Sequence, residues 1–107
     1  MAKIMSQNQQ VSFGQQYPEL ALRLDRQGGE QPLVGLDDRT RQLIKIGVQA
    51  AGGNVPAVKV HAELARAAGA SWDEVVDAVV MQLYLADLVS TLECLQAAID
   101  GYGQNLG

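Results

Sequence analysis

Residues 37–76 read DDRTRQLIKIGVQAAGGNVPAVKVHAELARAAGASWDEVV. Asp37 or Asp38 stands where a carboxylate caps a helix and complements its positive end. Leu43, Ile44, Ile46, Val48, Ala50 and Ala51 then fall on one broad arc at helical spacing. Arg41, Gln42, Lys45 and Gln49 fall on the other. Gly52 and Gly53 end this helix. Asn54 caps the next, with Pro56 in its first turn, where a missing N–H costs nothing. That helix runs through His61 to about Ala68, and Gly69 follows where a left-handed cap is wanted. Ser71-Trp72-Asp73-Glu74 matches the capping box, Ser/Thr-x-x-Glu, and opens another helix. No alternating strand pattern occurs anywhere in the chain, so the fold class is all-α.

Working outward, residues 75–95 are apolar around nearly the whole helical circumference. A helix apolar all round is buried on more than one side. A chain of 107 residues has little room for an enclosed helix, so one face is expected in a subunit interface. A break near residues 86–89 would instead give a separate last helix ending at Gly101. It would also uncouple Glu93 from Gln82. Towards the N-terminus, residues 27–35 hold Gly28, Gly29, Pro32 and Gly35 and read as a loop. Ser12 caps an expected helix over 13–26. Residues 1–11, rich in Gln, Asn and Ser, read as a flexible tail. Residues 12–107 read as a single domain.

Composition removes several classes of function. The chain carries 8 Lys and Arg against 12 Asp and Glu, one cysteine (Cys94) and one histidine (His61). The acidic balance argues against nucleic acid as a partner, because phosphate contacts need clustered cations. A lone cysteine forms no internal disulfide and no dithiol centre, and a lone histidine excludes every metal site that needs two. No metal and no cofactor are expected. No apolar run spans a membrane without interruption, since Asp77, Gln82, Asp87 and Glu93 punctuate the best candidate. No secretory leader follows Lys3. The expected setting is the cytoplasm, with no membrane partner.

The order of these signals is similar to the carboxymuconolactone decarboxylase family, which includes the alkylhydroperoxidase D-like proteins. The resemblance rests on Leu36-Asp37, the run Arg41-Gln42-Leu43-Ile44-Lys45-Ile46-Gly47-Val48, and His61 followed by Ala65 and Gly69-Ala70-Ser71-Trp72-Asp73-Glu74-Val75. It covers residues 36–102. It implies four to six helices around an antiparallel two-helix core, assembled as a homo-oligomer, often a trimer or hexamer. Redox members of the family carry Cys-x-x-Cys-x-x-x-His and a relay Glu twelve residues before the first cysteine. Counting back from His61 places Asn54 and Ala57 at the thiol positions and Gln42 at the Glu position. Peroxide reduction needs one thiolate to attack and a second thiol to resolve, so the antioxidant reading is disfavoured. The decarboxylase branch lacks the thiols and keeps a histidine.

That leaves a lyase-like enzyme on a small carboxylated lactone or organic acid, with His61 as its catalytic residue. Such chemistry needs an acid for the carbanion and a cation or donor for the carboxylate. Arg41 is a candidate cation, or a solvated surface charge. The alternative function is a non-catalytic oligomeric protein that binds a small molecule or serves as a scaffold. His61 itself has a blander reading, since Ala57, Val58, Leu64 and Ala65 surround it at helical spacing and make it a packed histidine. The pocket candidates are Gln42, Asn54, Ala57, Gln82 and Tyr84. Gln42 is a hydrogen-bond donor to a ligand, or part of a solvated face. Gln82 needs a partner if buried. Tyr84 supplies a phenol to a pocket, or packs with its hydroxyl at a polar edge. Cys94 reads as a small buried apolar residue, and Trp72 as a packing residue.

Overall fold

Side chains present in the sequence start the four helices of residues 35–105. Asp37 Oδ1 accepts from Thr40 N at 2.7 Å and opens α3, Asp38–Ala51. Asn54 Oδ1 accepts from Ala57 N at 3.3 Å and opens α4, Val55–Ala67. At α5, Trp72–Val80, the capping box is complete: Glu74 N donates to Ser71 Oγ at 3.1 Å, and Ser71 N donates to Glu74 Oε1 at 2.9 Å. Asp87 Oδ1 accepts from Ser90 N at 2.6 Å and opens α6, Leu88–Tyr102. These bonds favour the charged carboxylates. Thr40 holds the Asp37 carboxyl below its ordinary range, and the Ser90 N–H does the same for Asp87. The computed structural model describes residues 7–25 and 35–105; two further helices, α1 (Gln7–Gln16) and α2 (Pro18–Asp25), precede these four, and no strand occurs among the described residues.

The chain divides into two compact units, Met1–Val34 and Gly35–Gly107. In the first, α1 and α2 pack together, with the Phe13 and Tyr17 rings 5.2 Å apart. Ser12 lies inside α1 rather than capping it, and residues 7–11, expected in the tail, are helical. The interruption falls at Tyr17 because Pro18 lacks an N–H and disfavours helical geometry in the residue before it. Pro18 is instead the first residue of α2, a position that suits it. The rest of the expected tail, residues 1–6, and the expected loop over 27–34 lie outside the described residues.

In the second unit, α4 packs against both α3 and α6, and α5 closes over α3 and α6. Ile46, Val58, Val75, Val79 and Cys94 are fully buried, together with small residues such as Ala62, Ala65 and Ala98. Small side chains let helices approach closely. At Gly101 the approach is so close that a Cβ would run into the Lys59 carbonyl oxygen. Gly69 follows α4 with φ +94°, the left-handed conformation its position called for. Trp72 packs on Tyr102, ring centroids 5.5 Å apart, and Tyr102 Oη donates to Ala70 O at 2.8 Å. Arg66 donates to Tyr102 O, with its guanidinium 5.0 Å from the Tyr102 ring centroid.

Residues 75–95 are not one helix apolar all round. α5 ends at Val80, a series of turns carries the chain to Ala86, and α6 begins at Leu88. Projected on a single helix the apolar residues cover every direction, because two helices of different phase contribute to the stretch. The break lies at 81–87, just ahead of the position suspected, and Asp87 is its cap. Glu93 is accordingly exposed.

Candidate functional site

α3 and α4 are joined by only three residues, Gly52 to Asn54. So short a connection returns the chain alongside itself, and residues nearly equidistant from it become neighbours. Gln42 and His61 are such a pair. His61 Nδ1 lies 2.8 Å from Gln42 Oε1 across the two antiparallel helices.

An amide oxygen can only accept a hydrogen bond. In this orientation Nδ1 therefore carries the imidazole proton, and Nε2 carries the lone pair. Gln42 is 8% exposed, so the expectation of a solvated face fails for it. It shares the buried edge of α3 with Ile46, one turn on, and His61 satisfies its oxygen. His61 is half-buried. Burial lowers its pKa below 6.5, and the nearby Lys45 charge lowers it further. At neutral pH the ring is an uncharged, oriented acid–base group. A glutamate in place of Gln42 would have stabilised imidazolium; an amide does not.

The other expected residues separate. Asn54 is spent as the α4 cap and is exposed, while Ala57 is half-buried one turn before His61. Tyr84 is 99% exposed in the 81–86 turns, so within a single chain it neither packs nor reaches a pocket. Gln82 is half-buried against α3: its amide nitrogen lies 2.9 Å from where a Gly47 Cβ would stand. Cys94 is buried on α6, with burial and then Glu93 pushing its thiol pKa up, the reverse of what a nucleophilic thiolate needs. Arg41 pairs with Asp38 at 3.0 Å, and its Nε is buried with no hydrogen-bond partner.

Two features were missed in the sequence. Lys45 acts on His61, and its place one turn after Gln42 on α3 was the available signal. The second is an open apolar groove of about 620 Å³ between α3 and the end of α5. Ile44, Gly47 and Val48 form one wall, and Ala78, Met81 and Leu85 form the other. Gln82 supplies a polar group there, and Asp77 stands at its rim. The groove lies on the side of α3 opposite Gln42, because residues two and six positions along a helix point away from the first. Among the described residues, no cluster of His, Cys, Asp and Glu could hold a metal ion, and no helix is long and apolar enough to cross a membrane.

No curated protein and no solved structure matches the chain. The model of the carboxymuconolactone decarboxylase family matches residues 18–100, which takes in α2 as well as the helices that carry His61 and Gln42. A match over that much of the chain shows that this protein belongs to the carboxymuconolactone decarboxylase family.

Proposed function

We propose that this protein acts without redox thiols on a small carboxylated lactone or organic acid, as a lyase with His61 as its acid–base residue. It works in the cytoplasm as a homo-oligomer, the trimer or hexamer that the family resemblance implies. The observation that carries this reading is the His61 Nδ1–Gln42 Oε1 bond at 2.8 Å. It leaves one ring nitrogen unbonded to protein and fixes which one. The positions of the redox thiols are filled by Asn54 and Ala57, and Cys94 is buried with a raised pKa.

In the reaction, the bond from the substrate carbon to its carboxylate breaks and CO2 leaves. The electron pair remaining on carbon is delocalised towards the lactone carbonyl. Nε2 of the neutral His61 ring takes up a proton from solvent, delivers it to that carbon and returns to its uncharged state. The balance is one carboxylate and one proton in, CO2 and the protonated product out. Lys45, close enough to depress His61, is placed to favour a bound carboxylate.

A second reading, a binding protein without catalysis, has one observation in its favour. The apolar groove lies away from His61, where a ligand would not meet the acid–base group. The test is CO2 release from a panel of carboxylated lactones. Turnover by the wild type that His61→Ala lowers by at least about 100-fold, with assembly unchanged, supports the enzyme. No turnover across the panel supports the binding role.

A further inference from the structure

We infer that the outer face of the α3–α4 hairpin binds a carboxylate with a compact aliphatic body, Lys45 anchoring the carboxylate and Val60 and Leu64 forming a shelf for the body. The site rests on the reading of His61 as the acid–base residue and adds the residues that select its substrate.

The polar half of the site surrounds His61. Nδ1 is bonded to Gln42, and Nε2 has no protein partner. Nε2 is also open to solvent, since among the described residues Arg41 Nε is the side-chain nitrogen that is buried without a bond. Lys45 is exposed one turn after Gln42, and its charge acts on the ring. Among the described residues Lys45 forms no ion pair, and the nearby acids are committed or turned away. Asp38 is held by Arg41. Glu63, two residues after His61, points to the other side of α4. An uncharged imidazole beside an uncompensated ammonium favours a negative group, and a carboxylate supplies it.

The apolar half lies on α4. Ala57 and Leu64 stand one turn to either side of His61, and Val60 lies between them at i+3 and i+4 spacing. Val60 is 53% exposed and Leu64 44%. Aliphatic side chains left in water beside an acid–base group gain from an apolar body what a sugar or a phosphate does not offer. The two halves are also ordered along the hairpin. α3 and α4 are antiparallel and Gln42 faces His61, so Lys45 faces the Ala57 side of the ring. Leu64 lies about 4.5 Å along the axis in the other direction. A ligand that spans Lys45 and Leu64 therefore crosses Nε2.

Titration of the single imidazole NMR signal at neutral pH, with the full chain, tests the assignment. Sodium cyclohexanecarboxylate is expected to shift the signal saturably. It is expected to bind at least about tenfold tighter than acetate, since each buried methylene adds roughly fourfold. Cyclohexylmethanol keeps the body and lacks the charge, and is expected to bind at least about fivefold more weakly than the acid. Lys45→Met and Leu64→Ser, both at exposed positions, are expected to keep the wild-type circular dichroism. The first should remove the preference for acid over alcohol, and the second the preference for cyclohexanecarboxylate over acetate. A merely structural role would not separate the two preferences. Equal binding of acetate and cyclohexanecarboxylate, unchanged preferences in the variants, or no saturable shift overturns the inference. Saturable binding with no turnover of any lactone overturns the lyase reading alone. Turnover through His61 with no saturable binding overturns this one alone.

Discussion

The pair α3–α4 and the pair α5–α6 use similar lengths of chain in opposite ways. α3 and α4 turn on three residues and bring polar groups inward, so that Gln42 is buried against His61. They keep the cations of the second unit on their flanks. α5 and α6 turn through seven residues and put apolar groups outward, with Met81, Tyr84 and Leu85 exposed and no cation anywhere. A buried amide facing an imidazole is costly unless it is bonded, and exposed aliphatic groups are costly unless they are covered. The first pair meets its cost within the chain. The second leaves it unmet within a single chain.

The largest expected effect comes from breaking the joint between the pairs. A side chain at residue 101 runs into the Lys59 carbonyl, which is backbone and cannot swing aside. Gly101→Val should cost about 3 kcal/mol or more in urea unfolding. A cost below about 1 kcal/mol would mean that α4 and α6 do not approach closely there. The next effect sharpens the contrast between buried and exposed apolar residues. Ile46→Ala, at a fully buried site, should cost 2–5 kcal/mol on the scale of ~24 cal/mol per Å³ of cavity. Leu85→Ala, in the exposed turn, should change stability by no more than about 0.5 kcal/mol. Similar losses at both sites would erase the contrast.

The helix starts were legible in the sequence because each depends on a few adjacent residues. Asp37, Asn54 and Ser71 are local signals, and each caps the helix expected of it. The meeting of Gln42 and His61 was half legible. Spacing within the family pattern implied that the positions were related, but Gln42 falls on the polar arc of its own helix. Only the pairing with α4 turns that edge inward. Tyr84 and the groove were not legible, because they depend on where α5 stops. The stretch around Met81 has no Gly or Pro to mark a break. Asp87, a capping residue followed by Ser90, was the remaining signal, and it marks the start of α6 rather than the end of α5.

The smallest effect concerns the buried polar pair itself, and the chain's single histidine makes it clean to measure. The His61 pKa is lowered in the fold, chiefly by burial and then by Lys45. Between that lowered value and about 6.5, the unfolded chain binds more protons than the folded one. Stability therefore falls as pH drops through about 6.5 and levels off below the folded pKa, and the full contribution of the neutral ring is present above 6.5. His61→Gln should flatten this slope. Gln42→Glu should move the imidazole pKa up, because a carboxylate at that place stabilises the charged ring where an amide oxygen does not. The lone imidazole signal, followed by NMR titration, reads both quantities. A wild-type midpoint at or above 6.5, or no upward movement in Gln42→Glu, would mean that His61 is solvated like a surface histidine. The inward-facing character of α3–α4 would then rest on aliphatic packing alone.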